Sequence, residues 1–343
     1  MSLYVGIDLH SNNMFVAIMD SNEKLLCQKK ISNETGLILQ LLEPYPTDEV
    51  SVVVESTFNW YWLVDALHGH GYSVKLANPA AMQQYSGLKY TDDRSDAIWL
   101  ARMLKMNLIK EGYIYPKDQR PTRDLLRRRM LFTRQRTQMI LSLKSLIDRE
   151  LGQRVSANMI TSKQNPFPVR DILQNEELIF TAECMLSTID GLKSNIDKIE
   201  KRLKNKLKLK PEFVNLTSIK GVGTILALTI MLEVGDIRRF KTVGDFSSYC
   251  RCVSSKRTSN NKVKGKGNSK NGNKYLEWAF VEAANFLRRY NTEAQRYYQK
   301  KAAKTKTIVA TKTLAHKLAR AAYYMIRDNV PFDETKMFAT SPR

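Results

Sequence analysis

The chain has 343 residues, with 55 Lys and Arg against 34 Asp and Glu, for a formal net charge of +21. That length suits two or three domains that bury their own cores, and the four cysteines (Cys27, Cys184, Cys250, Cys252) form neither a disulfide framework nor a zinc pattern. No run of about 18 apolar residues and no basic-then-apolar leader occurs, so neither membrane insertion nor secretion is expected; the expected location is the cytoplasm, at the nucleoid when active.

Residues 3–9 (LYVGIDL), 14–19 (MFVAIM) and 24–31 are short apolar runs separated by the turn-prone SNN and DSNE, which predicts an antiparallel meander. A helix follows Asn33, and the almost wholly apolar 50–54 predicts a central buried strand ending at Glu55. A helix over 59–68, a strand over 72–77 and a helix over 95–106 complete the order βββαβαβα. This is the pattern of an RNase H-like nuclease fold, assigned to residues 1–116.

The breaker-rich PKDQRP at 116–121 closes that domain, and an Arg-dense helical stretch then runs to about Gly152. Beyond NPFP at 165–168, apolar residues recur at Leu178, Ala182, Met185, Ile189, Leu192, Ile196, Ile199 and Leu203. Alternating steps of four and three make a coiled-coil seam, so residues 117–210 are expected to be a basic coiled-coil connector. Its expected partner is the same helix of a second subunit, with the preceding helix folded back as the alternative, and a homo-oligomer, dimer or tetramer, is expected.

The third region, 211–343, is expected to be mostly helical, giving a fold class of α/β plus all-α. In SIKGVGTILA at 218–227, Lys220, Gly221 and Gly223 form the turn of a helix-hairpin-helix, whose backbone N–H groups grip DNA phosphate. Residues 238–274 hold 11 basic side chains against the single acid Asp245, and are expected to be a loop ordered by phosphate contacts. Two or three helices, over 275–298 and 307–326, close the chain.

Charge is unevenly divided: residues 1–116 carry 9 basic and 13 acidic side chains, and the other 227 carry 46 and 21. A basic body of that kind is the electrostatic footprint of nucleic-acid binding. Arg123, Arg127, Arg128 and Arg134, with Lys264, Lys266 and Lys270, are the expected phosphate contacts. Within the acidic part, Asp8 and Glu55 end strands that the fold makes adjacent. Asp93 and Asp96, three apart, share one face of a helix start, with Asp92 an alternative to Asp93. Such carboxylates repel one another unless cations neutralise them, and Mg²⁺, or alternatively Mn²⁺, takes oxygen ligands while activating in-line displacement at phosphorus. His10, two residues from Asp8, is expected to pack or face solvent.

GIDLH at 6–10, VVVEST at 52–57, KYTDDRSDA at 89–97, IKGVG at 219–223 and GNSKNGN at 267–273 together resemble the DEDD transposases of bacterial insertion sequences, the group that includes the Piv-type invertases. The resemblance implies that Asp8, Glu55, Asp93 and Asp96 bind Mg²⁺. It further implies that a C-terminal serine attacks DNA to form a covalent phosphoserine, and that a non-coding bridge RNA guides the choice of donor and target DNA. Aligned on Lys270, Gly272 and Asn273, the nucleophile slot falls on Ser259. Arg251, Ser254 and Asn260 depart from the glycine, proline and glycine usual around it, and Ser255 and Thr258 stay as alternatives. Two other functions compete: a RuvC-like hydrolytic nuclease or Holliday junction resolvase, and a nucleic-acid-binding scaffold with a decayed nuclease domain.

Overall fold

A computed structural model describes residues 2–82, 92–253, 256–260, 262–266 and 271–338, without the side chains at 80, 256–259, 263 and 266. The chain divides into two compact units, Met1–Lys117 and Asp118–Arg343.

The first unit is mixed α/β. It comprises β1 (Leu3–Leu9), β2 (Asn13–Asp20), β3 (Leu25–Ser32), α1 (Thr35–Leu42), β4 (Val50–Glu55), α2 (Tyr61–Gly69), β5 (Ser73–Ala77), α3 (Asp93–Lys105) and β6 (Glu111–Gly112). The sheet runs β3-β2-β1-β4-β5-β6, with β1 to β3 antiparallel, β4 and β5 parallel to β1, and the two-residue β6, absent from the sequence reading, antiparallel at the edge. Strand residues alternate faces. Val5, Ile7, Leu9, Val52 and Val54 therefore share one core with α1 and α2. Gly6 and Asp8 of β1, with Val53 and Glu55 of β4, belong to the opposite face, where Val53 packs with Leu100 and Leu104 of α3.

The spacing of Ala97, Leu100, Ala101 and Leu104 makes one buried stripe along α3. Burying each leucine contributes about 1.5–3 kcal/mol. The helix begins two residues before the expected start at 95 because the Asp92 carboxylate caps it, accepting from the Ser95 backbone N–H at 2.8 Å. Gly6 sets how close α3 lies. A Cβ there would fall 2.0 Å from the Ala97 carbonyl oxygen, so only glycine lets the helix touch the strand.

The second unit is mostly helical. It starts with two 32-residue helices, α4 (Arg120–Leu151) and α7 (Glu176–Leu207), joined through the short α5 (Ala157–Ile160) and α6 (Val169–Ile172). α4 and α7 run antiparallel: Arg129 pairs with Glu200 at one end, and Ile140, Leu143 and Ile147 share a core with Ile179, Ala182 and Ile189 at the other. The predicted seam is closed by this pairing. Ala182, Ile189, Ile196 and Leu203 are buried, and Leu178, Met185, Leu192 and Ile199 half-buried. Of the two partners the sequence allowed, the folded-back helix packs against the seam.

The remainder comprises α8 (Pro211–Thr217), α9 (Thr224–Val234), α10 (Val243–Tyr249), β7 (Lys256–Ser259), β8 (Lys262–Lys266), α11 (Lys274–Tyr290), α12 (Thr292–Ala302), α13 (Thr307–Asp328) and α14 (Glu334–Phe338). The apolar α9 is central, and Leu226 and Ile230 share a core with Phe280 of α11, Leu318 of α13, and Leu126, Leu203 and Leu207 from the long helices. The expected boundary at 210 therefore falls inside this unit. The helix expected over 275–298 is two helices, because the Asn291 side chain accepts from the Ala294 N–H and starts α12 afresh. Within the expected basic loop, β7 and β8 pair as an antiparallel ribbon.

Candidate metal centre

Asp8 lies near the end of β1 and Glu55 ends β4, the parallel neighbour whose Val54 aligns with Ile7. Side-chain parity turns both carboxyl groups to the α3 face, where they hydrogen-bond to each other. Asp8 is buried, at 4% exposure. Asp93 and Asp96 stand in the first turn of α3. With Asp92 used as the cap, Asp93 reaches the imidazole of His10, Oδ2 to Nε2 at 3.3 Å, and the same nitrogen is 3.1 Å from Asp8 Oδ2. Asp96 and Glu55 line a cavity of about 200 Å³ together with Met82, Trp99 and Leu100.

The electrostatics express this crowding. Burial, the hydrogen bond to Asp8, and the charges of Asp8 and Asp96 push the Glu55 carboxyl up to about 7. Burial also raises Asp8, as do the charges of Asp96 and Asp93, against the pull of the Glu55 hydrogen bond and His10. Glu55 thus holds a proton near neutrality that Asp8 shares. Hard oxygen donors held this close at an energetic cost suit a divalent cation, which would displace the shared proton.

The backbone beside the cluster is braced. Asn59 Nδ2 donates to the His10 carbonyl at 2.9 Å, and its Oδ1 accepts from Thr57 Oγ1 at 2.9 Å. This pins the segment after Glu55 to the end of β1.

The other expected site residues belong to the second unit or lie outside the description. Ser255 and Lys270 are outside the described residues, as are the side chains of Thr258, Ser259 and Lys266, although Thr258 and Ser259 fall in β7 and Lys266 in β8. Arg128, Arg134, Lys220 and Lys264 are exposed, and Gly221 and Gly223 form the turn between α8 and α9. Two of the expected phosphate contacts are turned inward. Arg123 is buried, at 8% exposure, and Arg127 makes a two-pronged ion pair with buried Glu233, Nε to Oε1 at 2.6 Å and Nη2 to Oε2 at 2.7 Å. Dense arginines on α4 therefore serve packing as well as solvent. Burial disfavours the Arg127 charge, but Glu233 outweighs this and raises its pKa.

Two further groups, His10 and Glu233, are not marked as site residues by local pattern in the sequence. His10 follows the end of β1, two positions after Asp8, and that spacing was the available signal. Glu233 is the lone acid in the apolar helix TILALTIMLEV, which requires a buried partner. It has two: Arg127, and Asn273, whose Nδ2 donates to Oε2 at 2.7 Å. Asn273 also caps α11 by accepting from the Tyr275 and Leu276 N–H groups. Gly272 before it has φ +94°, and a Cβ there would strike the Tyr249 carbonyl at 2.6 Å.

A carboxylate cluster at strand ends of a mixed sheet, followed by a basic helical unit, has the makings of a DNA-processing enzyme. Residues 5–150 match the DEDD transposase model of the IS110 group, and residues 214–299 match the transposase IS116/IS110/IS902 family. The chain belongs to this family of insertion-sequence transposases, enzymes that cut and rejoin DNA. Among its relatives is the transposase for insertion sequence element IS1533 of Leptospira borgpetersenii, 24% identical over 72% of this chain and 75% of the relative. The transposase for IS1328 of Yersinia enterocolitica is 22% identical over 96% of this chain and 98% of its own length. The transposase for IS1111A of Coxiella burnetii is 25% identical over 68% of this chain and 63% of that protein.

Proposed function

We propose that the first unit is an RNase H-like, RuvC-like catalytic domain in which Asp8, Glu55, Asp93 and Asp96 hold Mg²⁺ or Mn²⁺ for DNA strand cleavage. The observation that carries this reading is the convergence of the Asp8, Glu55, Asp93 and Asp96 carboxyl groups on one sheet face, where burial, the hydrogen bond to Asp8 and the charges of Asp8 and Asp96 raise Glu55 to about 7. Asp8, Glu55, Asp93 and Asp96 would hold the ion, which would supply Lewis-acid charge for in-line displacement at phosphorus. Asp8 and Glu55 must give up their shared proton first, and Asn59 keeps the two strand ends in register for it.

A serine of the basic segment, Ser259 with Ser255 and Thr258 as alternatives, supplies the nucleophile. Its oxygen gives up its proton and bonds to phosphorus as one P–O ester bond of the strand breaks, and the released oxygen takes up a proton to become a hydroxyl. Exchanging one phosphate ester for another conserves the bond energy, so rejoining needs no nucleotide cofactor. Exposed Arg128, Arg134, Lys220 and Lys264 contact nucleic-acid phosphates, which include a guiding bridge RNA as well as donor and target DNA. The chain works as a homo-oligomer at the nucleoid.

Trapping a covalent protein–DNA adduct tests the chemistry. It forms in the unaltered chain, in Ser255→Ala and in Thr258→Ala, and is lost in Ser259→Ala. Strand cleavage with no adduct in any form favours a hydrolytic, resolvase-like nuclease. Sequencing RNA that copurifies with the chain tests the guide: one discrete non-coding species supports it, and bulk cellular RNA contradicts it.

A further inference from the structure

His10 is held in place by its own backbone. Its N–H donates to the Asn13 carbonyl at 2.9 Å, and its carbonyl accepts from the side-chain amides of Asn33 and Asn59, both at 2.9 Å. The imidazole stands edge-on to Phe15, with ring centroids 6.2 Å apart. Three separate segments thus fix a ring whose Nε2 is directed into the carboxylate cluster.

That nitrogen is buried from solvent and makes no hydrogen bond, although Asp8 Oδ2 is 3.1 Å and Asp93 Oδ2 3.3 Å away. The three donor atoms all lie within 4.8 Å of one another. They share one small space without satisfying each other, as ligands around a common cation do and members of a hydrogen-bonded chain do not.

We propose that His10 Nε2 is a nitrogen ligand of the divalent-metal centre, beside Asp8 and Asp93, and that it biases the site towards Mn²⁺ over Mg²⁺. This rests on the metal-dependent reading above. Mg²⁺ takes oxygen donors almost exclusively, whereas an imidazole donor favours a transition metal. His10 therefore acts as a specificity-determining ligand, distinct from the four carboxylates that suffice for either ion.

The test uses the full chain with Mn²⁺ as the probe. Electron spin-echo spectroscopy of bound Mn²⁺ shows coupling to ¹⁴N in the unaltered protein and loses it in His10→Gln. The same substitution weakens Mn²⁺ binding at least about tenfold, while Mg²⁺ binding changes several times less. Mn²⁺ that binds, and is lost in Asp8→Asn, yet shows no ¹⁴N coupling would overturn the His10 assignment and leave the carboxylate site standing. Equal losses of both ions in His10→Gln would also overturn it. Failure of the unaltered chain to bind Mn²⁺ at all would reject the metal-dependent reading itself.

Discussion

Gly6 of β1 lies so close to Ala97 of α3 that a Cβ on the glycine would sit 2.0 Å from the alanine carbonyl oxygen and 2.6 Å from the Ala101 nitrogen. Both obstacles are helix backbone, which cannot rotate away as a side chain can. The contact sets the height of α3 over the sheet, and with it the reach of Asp93 and Asp96 towards Asp8.

Gly6→Ala is accordingly expected to cost about 1–3 kcal/mol of stability through overpacking and to weaken divalent-metal binding, since the helix must lift. Gly36→Ala is the control: nothing lies within 4 Å of a Cβ there, and α1 gains up to about 1 kcal/mol from the better helix former. Denaturant unfolding and Mn²⁺ titration of both variants read the contrast. Equal behaviour of the two would show that the close approach does not hold the site.

The pH response follows from Glu55. Its folded-state pKa of about 7 exceeds the ordinary 4.5, so this group's contribution to the stability of the metal-free chain is fully present below about 4.5 and lost as pH rises through about 7. Glu55→Gln should flatten that slope. Metal binding displaces the proton, so apparent affinity should fall about tenfold per pH unit below 7 and level off above it. Calorimetric titrations in buffers of different ionisation enthalpy count the released proton, and zero release at pH 6 would contradict the shared-proton arrangement.

Breaking the buried ion pair of the second unit has a different signature. Glu233→Ala leaves Arg127 and Asn273 without their acceptor and should destabilise that unit by about 3–5 kcal/mol. Replacing both partners by apolar residues, Arg127→Met with Glu233→Leu, should recover much of the loss. Thermal or denaturant unfolding of the single and double variants decides it, and a double variant as unstable as Glu233→Ala would mean the charge pair is not the source.

Arginines of α4 divide into inner and outer sets. In DNA binding measured against salt, Arg128→Ala and Arg134→Ala should each lower the magnitude of the logarithmic slope by about 1, the loss of one phosphate contact. Arg127→Ala should leave the slope of the folded protein unchanged, because its guanidinium is bound to Glu233. A changed slope in Arg127→Ala alone would reverse the assignment.

Much of the first unit was legible because strand alternation and the apolar 50–54 run are local signals. Asp8, Glu55, Asp93 and Asp96 could be named as candidates because each closes or opens an element. The contribution of His10 depends on where a ring nitrogen lies relative to two oxygens, which no spacing encodes, although its place two positions after Asp8 pointed to that strand end. In the second unit the seam was visible but its partner was not, since heptads state a need for burial without saying which helix meets it. Arg127 read as a surface cation because its partner Glu233 lies 106 positions away, beyond any local pattern.

The central claim is that the carboxylates of Asp8, Glu55, Asp93 and Asp96 bind the metal that cuts DNA. Strand cleavage in Mg²⁺ by the full chain, compared among Asp8→Asn, Asp96→Asn and Asp92→Asn, tests it most directly. The account predicts a fall of at least about a hundredfold for Asp8→Asn and Asp96→Asn, matching loss of several kcal/mol of transition-state stabilisation, with near-normal cleavage by Asp92→Asn, whose amide still caps α3. Undiminished cleavage in Asp8→Asn would contradict it.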